Sequence, residues 1–170
     1  MKEIVTTTEY TDNKIKKFLK FYFFDRTKTI RIVLDILIII VIINFFTKLD
    51  NEKTVIDIIS FVFALIGLLE LNTSFLPSFN FFKLKRKKNS IIGTKVSYAF
   101  KKNNFKLTTD KDEYIDYDKL KKVIETSTDY YLFINSSRSL ILGKDNLTEK
   151  DITILTNIFK EKVSTYVLKR

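Results

Sequence analysis

Hydrophobic residues crowd into two blocks in the first half of the chain. The first, IRIVLDILIIIVIINFFT, runs from Ile30 to Thr47, with Arg31 and Asp35 near its start and Asn44 near its end. The second, VIDIISFVFALIGLLEL, runs from Val55 to Leu71 and carries Asp57 and Glu70 near its ends. A short polar turn, TKLDNEK, lies between them. Neither block shows the alternation of a half-buried strand or the single stripe of a surface helix. From Ile36 to Ile43, and again from Ile58 to Leu69, nearly every face of a helix is apolar.

A bilayer core of roughly 30 Å takes about 17–25 residues of helix, a range that both blocks reach only with their polar ends included. The pattern predicts a transmembrane hairpin over residues 30–82, with spans at about 30–47 and 55–76. Charges near the helix ends are tolerable there through snorkelling. The alternative, a buried hairpin in a soluble core, asks a small remainder of the chain to cover two helices that are apolar all round.

The flanks read differently. Residues 1–29 are expected to hold a strand, KEIVTT, and a basic amphipathic helix over Thr11–Arg26, whose apolar face is Ile15, Phe18, Leu19 and Tyr22. That helix suits either a membrane interface or the surface of the C-terminal domain. Residues 83–89 read as a basic juxtamembrane linker, and residues 90–170 as a cytoplasmic domain of short strands joined by polar turns. The segments DYYLFIN and SLILG flank SSR, a hairpin signal. A helix then starts at Thr148 as N-cap and carries Ile152, Leu155, Phe159, Val163 and Tyr166 on one stripe. The predicted class is an α+β membrane protein: a two-helix transmembrane hairpin plus a C-terminal antiparallel β domain capped by one helix, in the manner of a pleckstrin-homology (PH-like) domain.

Charge sets the expected orientation. The chain has a formal net charge of +10 and a pI of about 9.6, so a polyanionic neighbour is plausible on charge alone. Both flanks of the hairpin are basic and its tip is balanced, which places both termini on the cytoplasmic side of a multi-pass cell-membrane protein. Lys14, Lys17, Lys20 and Arg26 before the hairpin, and Lys83, Lys85, Arg86, Lys87 and Lys88 after it, are the residues expected to contact anionic lipid. Arg31 and Glu70 fall near the same face and form a candidate intramembrane pair. Asp35 and Asp57 fall at opposite faces, which disfavours a proton or ion relay through them. The basic residues gather at the hairpin rather than in the domain beyond Ser90, so no nucleic acid is expected as a partner.

The missing residue types restrict chemistry. There is no cysteine and no histidine, which removes thiolate nucleophiles, Cys- or His-based metal sites and Ser-His-Asp arrangements. Three glycines and one proline leave no phosphate-cradling loop. Asp110, Asp112, Glu113, Asp116 and Asp118 are the densest acids, but they lack the spacing of a calcium loop. No catalytic residue, cofactor or metal site is expected.

The order of strand, helix, two apolar blocks, basic exit and β domain resembles the YcxB-like family of small bacterial membrane proteins. The resemblance rests on Tyr117, Leu120, Val123, Glu125, Tyr130, Tyr131, Leu132 and Ile134, and it departs at Gly143, where the family usually has proline. It implies a cytosol-facing PH-like domain on a membrane hairpin and no reaction. The expected function is therefore a small non-catalytic integral membrane protein that presents this domain for protein docking or regulation. Immunity against a membrane-active peptide and an anionic-lipid-binding module are alternatives. The expected partners are membrane lipids and another membrane or cytosolic protein, and a homo-oligomer is compatible with the pattern.

Overall fold

A computed structural model describes residues 3–26, 28–48, 53–72, 75–86, 90–135 and 137–169; for residues 25, 26, 28–31, 70–72, 75 and 76 it describes the backbone alone. Among them are five α-helices and two four-stranded sheets, an α+β fold. The chain divides into two compact units, one of Met1–Phe18 with Lys88–Arg170 and one of Leu19–Lys87.

The first unit contains both sheets. β1 (Ile4–Glu9), β2 (Lys95–Phe100), β3 (Asn104–Thr108) and β4 (Asp112–Asp116) form an antiparallel meander in that order. Ile4 lies opposite Phe100 and Glu9 opposite Lys95, although β1 and β2 are separated in the chain by the whole second unit. Burial alternates with period two: Ile4, Thr6 and Thr8 on β1 and Val96, Tyr98 and Phe100 on β2 point inward. The second sheet has the order β7 (Ser139–Gly143), β6 (Asp129–Phe133), β5 (Lys122–Glu125), β8 (Tyr166–Leu168).

Buried residues run almost without a break along β5, β6 and β7, the signature of a sheet covered on both faces. Successive residues of β6 show why. Tyr130 meets Phe159 of α5 (Glu149–Lys162) at a ring separation of 5.4 Å, while Tyr131 meets Phe18 of α1 (Asp12–Arg26) on the other side at 5.2 Å.

Side chains close the gap between the sheets where no backbone ladder does. The Tyr98 hydroxyl donates to the Ile141 carbonyl at 3.0 Å, and the Ile141 N–H donates to the Tyr10 hydroxyl at 3.0 Å. The two tyrosine hydroxyls are themselves 2.9 Å apart. The Gly143 N–H donates to Thr8 Oγ1 at 3.0 Å. The outer edge of β7 is thereby satisfied by β1, β2 and the residue after β1, so that it offers no open ladder. The opposite seam is covered by α5, where Phe159 sits among Phe100, Tyr117 and Tyr130 and is fully buried.

The predicted membrane architecture is overturned here. Among the described residues no helix is long and apolar enough to cross a membrane. The two blocks do form helices, α2 (Lys28–Thr47) and α3 (Val55–Asn72), and α4 (Phe75–Lys85) follows. Their uncharged stretches are short, however. Ile36–Thr47 and Ile58–Leu69 each supply about 18 Å of helix between charged residues, against the roughly 30 Å of a bilayer core. The transmembrane hairpin is corrected on that ground, and with it the integral-membrane function, the multi-pass location with cytoplasmic termini, and the immunity and lipid-module alternatives.

The β portion also differs from the expected C-terminal antiparallel domain. The expected N-terminal strand KEIVTT does join it, as β1 against β2, but β8 follows the capping helix and pairs parallel to β5, Val123 opposite Tyr166. Tyr166, expected on the helical stripe, is instead a strand residue. Val163 caps the helix in an extended conformation, and the β-branched and aromatic run Thr165–Tyr166–Val167 prefers the sheet edge.

Candidate functional site

The second unit contains the most unusual surface of the described residues. α2 and α3 run side by side as an antiparallel hairpin, as two contacts show. Phe45 stacks on Phe61 at 4.2 Å near the tip, and Gly67 admits Ile38 farther down, where an added Cβ would lie 3.2 Å from Ile38 Cδ1. Ala64 is buried on the same seam. Small residues at 64 and 67 let the helices approach closely along one line and leave the remaining faces uncovered.

The tip is tied down by polar groups. Asp57 Oδ2 accepts from the Thr54 N–H at 2.8 Å and from its hydroxyl at 2.7 Å, and the Asp57 N–H donates back to Thr54 Oγ1 at 3.3 Å. This reciprocal pairing caps the start of α3. Lys48 Nζ lies 2.6 Å from Asp57 Oδ1. The Lys48 ammonium, with the Thr54 donors, holds the Asp57 carboxyl well below the usual carboxylate range. Asp57 is thus a cap and ion-pair acceptor. Asp35 Oδ1 is buried without a hydrogen-bond partner among the described residues.

Outward from the seam, the helices present large aliphatic and aromatic side chains. Ile32, Val33, Leu34, Ile36, Leu37 and Ile39 are among those exposed on α2. On α3, Ile56 is 74% and Phe63 69% exposed. Full burial is worth about 1.5–3 kcal/mol per side chain at about 25 cal/mol/Å², so each such side chain offers on the order of 100 Å². With nine on each helix at 40% exposure or more, the hairpin shows on the order of 1,000 Å² of apolar surface to solvent. The largest apolar patch of a soluble monomer is about 300–600 Å².

The residues expected to meet anionic lipid scatter over several environments. Lys14 is engaged in the first unit: its Nζ lies 2.6 Å from Asp145 Oδ2 and 3.2 Å from Asp129 Oδ1. Burial alone would lower its pKa, but the two carboxylates outweigh that and raise it. A Cβ at Gly143 would run into Lys14 Nζ, so glycine there leaves room for this bridge. Lys17, Lys20, Lys83, Lys85 and Arg86 are exposed, and Lys83 and Lys85 close the last turn of α4, where a cation suits the carbonyl end of the helix. The side chains of Arg26, Arg31 and Glu70, and Lys87 and Lys88 altogether, lie outside the described residues, and so does the candidate Arg31–Glu70 pair.

Two further features belong to the first unit. A cleft of about 700 Å³ has Tyr10, Val96, Leu107 and Leu140 among its lining residues. Its charged lining is balanced, Lys95 and Arg138 against Asp110 and Glu113, and Arg138 grips Glu113 through both nitrogens, Nη1 at 2.7 Å from Oε1. Beyond it, two of the acids in the densest acidic run are engaged separately: Asp112 by Lys106 at 2.7 Å and Asp116 by Lys119 at 3.0 Å.

The second feature is a buried network that sequence reasoning missed. Glu125 takes Lys144 at 2.7 Å, Thr156 Oγ1 at 3.1 Å and the Tyr166 hydroxyl. Lys144 also donates to the Thr126 carbonyl at 2.7 Å and lies 4.6 Å from the Tyr130 ring centre. Burial would raise the Glu125 pKa, yet these donors bring it below its ordinary value. The network joins β5, the residue after β7, α5 and β8, and every member has a partner.

No family model matches the chain, and no curated protein or solved structure matches it either.

Proposed function

We propose that this chain is a non-catalytic interaction protein whose working surface is the α2–α3 hairpin, with the β unit as its stable body. The single observation that carries the reading is the outward apolar surface of the hairpin, on the order of 1,000 Å² where a soluble monomer tolerates a few hundred. A surface of that kind is the mark of a face that another molecule covers.

The chemistry of the remainder supports the non-catalytic part. The chain has neither cysteine nor histidine. Burial pushes the Tyr130 and Tyr131 hydroxyls up to about 12, which keeps them protonated and useless as bases at neutral pH. Glu125 is committed to Lys144, and Glu113 to Arg138.

The absence of native cysteine makes the reading directly testable. Single Ile40→Cys and Ile66→Cys variants, labelled with maleimide in intact cells, should react several-fold more slowly than Val5→Cys, which reports an exposed strand position of the β unit. Denaturation should abolish the difference. Equal reactivity at all three positions in the native state would overturn the proposal.

A further inference from the structure

The following rests on the hairpin being the interaction surface. We infer that its occupant is the same hairpin of a second copy, the two closing into a four-helix bundle with twofold symmetry. Three observations lead there. The first is area: a standard stable interface removes about 800 Å² from each partner, and the hairpin, counted over all its outward faces, carries on the order of 1,000 Å² of apolar surface from which to supply it.

The second is self-complementarity. Ile36–Ile43 and Ile58–Leu69 contain no charged residue, so the surface neither repels its own copy nor carries a charge pattern that selects a different partner. A twofold interface requires only that one patch fit itself, and antiparallel helical hairpins meet that condition in four-helix bundles.

The third is the distribution of charge, which also fixes the direction of packing. The tip is balanced by the Lys48–Asp57 pair. At the other end Lys28 and Arg31 open α2 and Lys83, Lys85 and Arg86 follow α3, so that in the sequence the cations there outnumber the acids Asp35 and Glu70. Two hairpins side by side in the same direction would bring these basic ends together. Packed tip to base, the ends stand apart by about the 30 Å length of a 20-residue helix, several times the roughly 8–10 Å over which salt screens charge. The antiparallel dimer is therefore the one this charge distribution favours.

Sedimentation of the full chain in detergent-free buffer, from nanomolar to high micromolar, tests the inference. The expected species has twice the 20.1 kDa mass of one chain. Raising salt to about 0.5 M should change its dissociation constant by no more than about threefold, since the interface is uncharged. Ile40→Asp with Ile59→Asp should weaken association by about a hundredfold or more by burying unpaired charge. Ile40→Ala with Ile59→Ala preserves helix propensity and should weaken it about tenfold, which keeps the test valid if the aspartate variant fails to fold.

A chain that stays monomeric at high micromolar concentration overturns the second copy. If that monomer floats with phosphatidylcholine vesicles, and the Asp variants do not, the hairpin remains an interaction surface and only its occupant is wrong. If the monomer does not float and Ile40→Cys labels as fast as Val5→Cys, both the occupant and the surface are wrong.

Discussion

Phe159 and Phe63 sit on helices of similar length and meet opposite fates. Phe159 on α5 is fully buried, enclosed by Phe100, Tyr117 and Tyr130, while Phe63 on α3 is 69% exposed. The β unit places its aromatics inside and ties most of its buried polar groups to one another, Tyr10 to Tyr98 and Glu125 to Lys144, with Thr6 Oγ1 the exception among the described residues. The hairpin packs one seam, Phe45 on Phe61 and Ile38 against Gly67 beside Ala64, and turns most of its other large hydrophobic residues outward. A region that satisfies itself needs no partner. A region that spends two helices on an exposed apolar surface is the better candidate for one, which is why the proposed function falls on the hairpin rather than on the β unit.

The contrast can be broken from the β side. Phe159→Ala removes the side chain at the centre of the aromatic cluster and should cost about 3–5 kcal/mol in denaturant unfolding of the β unit. Maleimide reactivity at Ile40→Cys should not change with it. A parallel change in the two would show that the hairpin surface depends on the β core.

Lys144→Met comes next, because it leaves the Glu125 carboxylate without its cation in a site where both side chains are largely buried. A loss on the order of 3 kcal/mol is expected. Glu125 also sets a pH dependence. Its pKa is lower in the folded chain than in the unfolded one, so the unfolded chain binds protons first on acidification. The stabilisation is complete at neutral pH and is lost as pH falls below about 4.3, the ordinary glutamate value, and through the lowered folded one. Urea titrations should show a shallower acid decline for Glu125→Gln. An unchanged slope would remove Glu125 from the account.

Smaller effects sharpen the same comparison. Tyr98→Phe strips the hydroxyl that the Ile141 carbonyl and Tyr10 share, for about 1–3 kcal/mol. Arg138→Ala, at a half-exposed pair with Glu113, should stay within about 1 kcal/mol in the same titrations. A larger loss there would mean that the cleft, and not only the hairpin, has a structural demand on its charges.

Local patterns carried much of the fold in advance. Thr148 caps α5 as its position before Glu149 and Asp151 suggests, and DYYLFIN–SSR–SLILG falls on β6 and β7. Both rest on neighbours in the chain. What lay beyond reach was long-range: Lys14 meets Asp129, Thr8 meets Gly143, and Lys144 meets Glu125, each across many residues and without a motif. The apolar blocks were legible as helices uncovered on most sides. Their assignment to a bilayer failed on length, because Arg31, Asp35, Asp57 and Glu70 trim the uncharged runs to less than a hydrocarbon core. Nothing local marks Ala64 and Gly67 as the packed seam either, since small residues look alike on every face of an all-apolar helix.

The most direct test of the central claim is the maleimide labelling rate of Ile40→Cys in purified chain as a function of concentration. The thiol is expected to be open at nanomolar concentration and to become protected as the concentration rises, while Val5→Cys stays reactive throughout. A rate at Ile40→Cys that matches Val5→Cys and never changes with concentration would contradict it.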